Sequence, residues 1–224
     1  MTQKVDIKSL NLKELVAFIE SLGEKAFRAK QIYQWIHEKQ VDSFAEMTNI
    51  AKKFIETLEE NAYLTCLTKE EVQISKLDGT RKYLFLLEDG NVIESVLMRY
   101  KHGNSVCISS QVGCRMGCRF CASTLDGLVR GLTAGEMLDQ IYKIGKDIGE
   151  RISNVVVMGT GEPLDNYDNL LKFIELLTDE KGLNISQRNL TVSTCGIVEN
   201  MRRLADEKLQ ITLALSLHGS TQEK

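Results

Sequence analysis

The sequence predicts an α/β fold: a parallel sheet with crossover helices, preceded by a connecting β-hairpin and a small helical N-terminal unit. Three observations carry this reading. Short apolar or β-branched runs at 105–109, 154–158, 190–194 and 211–216 alternate with helical patterns that begin near Thr133, Asn166 and Ile197. The run Val155-Val156-Val157-Met158 is apolar throughout, as suits a strand covered on both faces. Residues up to about 60, in contrast, carry helical periodicity and no strand-like alternation.

In chain order, Asn11 followed by Glu14 has the spacing of a capping box. Leu12, Leu15, Val16, Ile19 and Leu22 then fall on one helical face before Gly23 ends the helix. A second helix is expected around Ile32, Trp35 and Ile36, and a third through Ile50, Phe54 and Leu58. The aromatic residues of this bundle are expected in its core rather than as a base-stacking platform. Arg81 to Leu87 and Val92 to Met98, joined by Glu88-Asp89-Gly90-Asn91, read as a hairpin. Thr133 and Glu136 repeat the capping-box signature at the head of a helix. The expected division is therefore a helical accessory domain at 1–62, a β-hairpin linker region at 63–102 and an incomplete barrel at 103–224. With no helix following the fourth parallel strand, the chain reads as a fragment, and its last strand as an exposed edge prone to aggregation.

Bulk properties exclude some classes. With 43% hydrophobic and 26% charged residues, the composition is that of an ordinary globular protein. There is no run of eighteen apolar residues and no apolar stretch behind the basic residues at the start, so a membrane span and a secretory signal are not predicted, and a cytoplasmic location is expected. A net charge of −3 argues against holding nucleic acid through overall charge, but leaves local basic groupings. One comprises Lys25, Arg28 and Lys30 near Tyr33 and Trp35. The other comprises Arg115, Arg119 and Arg130 around a cysteine cluster.

That cluster carries the chemistry. Three of the six cysteines, Cys114, Cys118 and Cys121, fall within eight residues at Cys-x3-Cys-x2-Cys spacing, while Cys66, Cys107 and Cys195 are scattered, unlike a disulfide framework. A structural zinc site closes with four protein ligands. A cubane held by three cysteines leaves one iron open to another ligand, and a reduced cluster can pass it an electron. A zinc site completed from elsewhere in the chain, or coincidence, are the competing readings. Gly159-Thr160-Gly161-Glu162, taken alone, is a tight turn more often than a cofactor site, but a buried Glu162 would call for a cationic ligand. Cys107 fits a small buried hydrophobe and Glu94 an outward-pointing strand residue.

The motif Cys114-Arg115-Met116-Gly117-Cys118-Arg119-Phe120-Cys121 resembles the signature of the radical S-adenosylmethionine (SAM) superfamily. Four further segments narrow the resemblance to the dual-specificity 23S rRNA and tRNA adenine-C2 methyltransferases: 107–114, Phe120-Cys121-Ala122-Ser123-Thr124, 158–164 and Ser216-Leu217-His218. Gly23-Glu24-Lys25-Ala26-Phe27-Arg28-Ala29 in the helical domain extends it over essentially the whole chain.

The resemblance implies a partial (β/α)6 barrel cut after about four strands, with a [4Fe-4S] cluster on Cys114, Cys118 and Cys121. It further implies SAM bound by Gly161, Glu162, Ser193, Ser216, Leu217 and His218, all at the C-terminal ends of barrel strands, where such folds build their sites. The implied reaction methylates C2 of adenine in the peptidyl-transferase region of 23S rRNA and at adenosine 37 of tRNA. A polar methyl transfer has no nucleophile at that electron-poor carbon, so the family uses a 5′-deoxyadenosyl radical and a methyl-cysteine. By position, Glu94 matches the proton acceptor. Cys107 matches the cysteine that resolves the protein–RNA adduct by forming a disulfide. The methyl-carrying cysteine of the family has no counterpart among these residues, so full turnover is not expected of this chain. An electron donor such as flavodoxin and a monomeric state are expected, and Cys66 and Cys195 are expected to be buried spectators. The related adenine-C8 methyltransferases, and a non-catalytic zinc-holding RNA-binding module, are the alternatives.

Overall fold

The computed structural model describes residues 4–217 and 219. The N-terminal unit is opened by strand β1 (Val5–Asp6) and contains helices α1 (Leu12–Ser21), α2 (Ala26–Tyr33) and α3 (Lys52–Asn61). Strand β2 (Ala62–Tyr63) pairs in parallel with β1 and closes it. The Asn11 capping box is made as predicted: its side chain accepts from the Glu14 N–H and Glu14 reaches back to the Asn11 N–H. The second helix ends in a π-helical turn over Gln34–Glu38. Tyr33, Phe44 and Phe54 are buried, as expected of core aromatics, whereas Phe27 is exposed and Trp35 only partly buried, contrary to that expectation.

Strands β3 (Thr68–Ile74), β4 (Arg81–Leu86) and β5 (Val92–Tyr100) are antiparallel, and β5 pairs directly with β6 (Gly103–Ile108). The predicted hairpin is therefore β4–β5, and it belongs to the same sheet as the parallel strands. A short hairpin of β7 (Gln111–Gly113) and β8 (Leu128–Gly131) brackets the cysteine segment. Then follow α4 (Ala134–Ile148), β9 (Ile152–Val157), α5 (Tyr167–Thr178), β10 (Leu190–Thr194), α6 (Val198–Asp206) and β11 (Thr212–Leu215). The main sheet has seven strands in the order β11-β10-β9-β6-β5-β4-β3, and β6, β9, β10 and β11 run parallel. This is the open, partial barrel the sequence predicts.

Register separates the two faces of the sheet. Leu97, Val106, Val155 and Leu190 lie side by side across four strands, and all are fully buried beneath the helices. One residue along, Val96, Cys107, Val156, Thr191 and Thr212 form a row on the opposite face, none of them fully buried. The period of two thus produces a dry helical side and a partly polar inner side. The two edges differ as well. Strand β3 is largely exposed, rich in charged residues and bulged between Lys69 and Glu71, whereas β11 presents exposed Leu213 and Leu215.

The N-terminal unit is joined to the barrel helices by buried polar contacts and by one contiguous apolar core. Lys8 Nζ meets Asp139 Oδ1 of α4 at 2.5 Å with both side chains buried, and the other carboxylate oxygen accepts from the Leu67 N–H at 2.7 Å. Tyr33 donates to Asp179 at 2.7 Å, and His37 Nδ1 lies 2.9 Å from the Tyr142 hydroxyl. No helix among the described residues is long and apolar enough to cross a membrane.

Candidate active site

The ends of the parallel strands set the site. The cysteine segment leaves β7 through Gly113, whose left-handed φ of 72° and closeness to Gly127 leave no room for a side chain. An added Cβ there would stand 2.0 Å from the Gly127 carbonyl oxygen. The Cys114 N–H donates to the same carbonyl at 2.9 Å, and the Thr124 hydroxyl donates to the Cys118 and Cys121 carbonyls, closing the loop on itself.

A cavity of about 290 Å³ is lined by Cys114, Cys118, Cys121, Gly161, Glu162, Ser193 and Ser216, together with Met158 and Cys195. Seven of the residues predicted from sequence therefore meet in one place. Leu217 is exposed and does not line it, and His218 lies outside the described residues. Ser193 and Ser216, on neighbouring strand ends, place their hydroxyls 3.3 Å apart.

Glu162 is buried and braced by backbone. Its Oε1 accepts from the Leu164 N–H at 3.0 Å and its Oε2 from the Cys195 N–H at 2.8 Å, while its own N–H donates to Gln111. Among the described residues no Lys or Arg pairs with the carboxylate, and neutral donors, the two N–H groups and the Cys195 S–H, face its buried charge. Gln111 also donates to Asp165. Burial works against the charged form of Asp165, yet Arg115 and Gln111 hold its carboxyl below the ordinary range. The expected basic grouping around the cysteines is thus largely paired, with Arg115 on Asp165 and Arg130 on Asp89 and Glu136.

The two glycines of the Gly-Thr-Gly-Glu turn serve chain packing. A Cβ on Gly159 would stand 2.7 Å from Ser109 Oγ, and one on Gly161, at φ 104°, would stand 2.5 Å from Gln111 Cβ. The space a side chain would need is taken by these neighbouring residues of the chain, while both glycines also line the cavity.

Burial, followed by the charges of Glu162, Cys118 and Cys121, pushes the Cys114 thiol up. Among the described residues no three Cys, His, Asp or Glu side chains converge tightly enough to hold a single metal ion. Mononuclear zinc needs its thiolates at about 2.3 Å from a common centre. In a multi-iron cluster the cysteines are shared among different irons. The three thiols line one cavity beside a buried carboxylate with no Lys or Arg partner among the described residues, a donor set with the chemistry to hold iron–sulfur rather than a closed four-ligand zinc site.

Cys107 and Glu94 do not line the cavity. Cys107 sits on β6 opposite Val96, and burial raises its thiol pKa. Glu94, two residues before Val96, is on the same inner face, with its side chain in water and paired to Lys82 at 3.1 Å. Cys107 thus shares a face with Ser193, which lies two residues beyond Thr191 of the Cys107 row.

Residues 108–224 match the family model of the radical SAM superfamily. The chain belongs to the radical SAM superfamily. Residues 5–64 match a second family model, the ribosomal RNA large subunit methyltransferase N-terminal domain. Among curated relatives of this radical SAM chain, a probable dual-specificity RNA methyltransferase RlmN of Lachnospira eligens is 68% identical over 97% of the chain and 62% of the relative. A protein of the same name from Lachnoclostridium phytofermentans is 61% identical over 100% of the chain and 63% of the relative. The crystal structure of a radical SAM methyltransferase from Sphaerobacter thermophilus superposes with a TM-score of 0.88 at 39% identity, covering 96% of this chain and 64% of that one. The chain therefore spans less than two thirds of the length of these relatives.

Sequence reasoning missed Met158, Gln111 and Cys195. Cys195, expected as a buried spectator, is exposed and lines the cavity. Burial, then the neighbouring Glu162 carboxylate, pushes its thiol up to about 12. Its place directly after a parallel strand was the signal available. Cys66, partly buried, contacts Lys143 Nζ at 3.1 Å away from the site.

Proposed function

We propose that this protein is a radical SAM methyltransferase that methylates C2 of adenine in the peptidyl-transferase region of 23S rRNA and at adenosine 37 of tRNA. The observation that carries the reading is the meeting of the three motif cysteines, Glu162, Ser193 and Ser216 in one cavity at the ends of parallel strands. The similarity to dual-specificity RNA methyltransferases supports the choice of RNA as substrate.

Cys114, Cys118 and Cys121 would hold a [4Fe-4S] cluster, which supplies the electron that cleaves SAM. Glu162 receives the ammonium group of SAM. Its two carboxylate oxygens are already fixed by the Leu164 and Cys195 N–H groups, so the charge is oriented before the ligand arrives. The Ser193 and Ser216 hydroxyls offer hydrogen bonds from the adjoining strand ends, with Leu217 and His218 assigned to the same ligand by resemblance. Cys107, half-buried in the inner row, is the resolving thiol, and solvent-facing Glu94 on the same face is the proton acceptor. Water access suits Glu94, since a proton taken from substrate must leave the site. The electron comes from a donor such as flavodoxin.

Residues 1–62 form the RNA-contacting accessory part. Lys25, just before α2, and Lys30 on it are exposed, and the Arg28 guanidinium lies 4.8 Å from the exposed Phe27 ring, a cationic and aromatic surface of the kind nucleic acid favours.

The test is nucleoside mass spectrometry of 23S rRNA and tRNA incubated anaerobically with the iron-loaded protein, SAM and a reductant. 2-Methyladenosine in both RNAs is the expected result. 8-Methyladenosine would move the assignment to the related C8 enzymes, and a colourless protein carrying zinc would refute the radical reading.

A further inference from the structure

We propose that Cys195 is a fourth, displaceable thiolate ligand, which caps the open iron of the cluster on Cys114, Cys118 and Cys121 until SAM binds and takes its place. This rests on the cluster assignment above and adds a resting state to that site.

Cys195 is the first residue after β10 and lines the same cavity as the three motif cysteines. Its S–H faces the Glu162 carboxylate, which lines the same cavity. The other thiols of the chain lie elsewhere: Cys66 beside Lys143, and Cys107 within the inner row of the sheet. The backbone under Cys195 is fixed on both sides. Its N–H donates to Glu162 Oε2 at 2.8 Å, and the Gly196 N–H donates to Thr194 Oγ1 at 3.0 Å, with Gly196 at φ 103°. A soft thiolate held on a rigid turn at the mouth of an iron–sulfur site is a stronger iron ligand than water.

The step is a ligand exchange without redox change. The Cys195 S–H bond breaks, an S–Fe bond forms, and the proton leaves to the solvent to which Cys195 is exposed. When SAM arrives the S–Fe bond breaks and the thiol recovers a proton from water. Capping guards the open iron against loss and lowers the apparent affinity for SAM, because only uncapped molecules bind.

The experiment compares the anaerobically reconstituted protein with Cys195→Ala, Cys195→Ser and, as a control thiol outside the cavity, Cys66→Ala. Two readouts are taken: the three-iron electron paramagnetic resonance signal after mild ferricyanide oxidation, and SAM affinity by equilibrium dialysis. If nine-tenths of the resting protein is capped, both Cys195 variants bind SAM about tenfold more tightly than the parent. They also give a several-fold larger three-iron signal, while Cys66→Ala matches the parent. Brown variants with unchanged affinity and signal overturn the inference and leave the cluster assignment standing. Failure of both Cys195 variants to load iron would make the residue an obligatory ligand and overturn displaceability. A colourless parent protein overturns the cluster assignment and this inference together.

Discussion

Glu162→Gln isolates the charge at the centre of the site while keeping its shape. In the parent, two carboxylate oxygens accept from two backbone N–H groups, those of Leu164 and Cys195. A glutamine offers one oxygen and one amide nitrogen, so one of those N–H groups faces another donor in a buried place. Leaving a buried N–H unpaired costs about 1–3 kcal/mol. For a chain of this size that lowers Tm by about 2–12 °C. The lost charge also removes a charge-assisted hydrogen bond to the ammonium group of SAM, worth about 1.5–3 kcal/mol, and so weakens binding by roughly 10- to 150-fold. Thermal unfolding followed by circular dichroism reads the first effect, and equilibrium dialysis of SAM against iron-loaded protein reads the second. A variant that keeps the parent Tm and binds SAM within twofold of the parent would refute both the bracing role and the ligand role.

Three other perturbations test the frame around the site. Lys8→Met leaves Asp139 buried without its cation and is expected to cost about 3–5 kcal/mol in urea unfolding. Adding Asp139→Leu should recover most of that, less about 1–3 kcal/mol for the Leu67 N–H then left without an acceptor. Burial, with the nearby Lys8 charge, lowers the pKa of His37 to about 3, so the unfolded chain takes up a proton near 6.5 that the folded one refuses. Stability is therefore full above pH 6.5 and falls by about 1.4 kcal/mol per pH unit as the pH drops from 6.5 toward 3. Because pH 7.5 and 5.5 straddle 6.5, unfolding at the two should differ by about 1.4 kcal/mol in all, and His37→Gln should remove that difference. Gly113→Ala would drive a Cβ into the Gly127 carbonyl and displace Cys114. Iron per chain after reconstitution is expected to fall by more than half with bulk folding retained, and normal loading would contradict the packing argument.

Much of the fold was readable from periodicity because burial is what periodicity reports. The capping boxes at Asn11 and Thr133, the hairpin of β4 and β5, and the four parallel strands each had a pattern whose length matched the element. Strand β3 was missed because Thr68–Ile74 has no buried face to pattern; it is nearly all exposed. Strands β7 and β8 are short and interrupted by glycine, and what holds them is the loop they bracket. The site divides in the same way. Cysteine spacing marks thiols close in sequence, whereas Cys195 reaches the cavity only through the strand order of the sheet. Gln111 holds Glu162 by a contact across 51 positions, which no local signal encodes.

The sheet's two margins treat an approaching strand unequally. At β3 the charged side chains and the bulge make docking of a further strand unfavourable, so the sheet stops there by design of its sequence. At β11, by contrast, leucines stand in water beside an unbulged parallel pair, and a strand added there would cover apolar surface as well as pair the backbone. Growth of the sheet is thereby directional: any continuation of the wall lies beyond β11. Such a continuation would deepen the inner face beside Ser193 and Ser216, leaving the rest of the site as it stands.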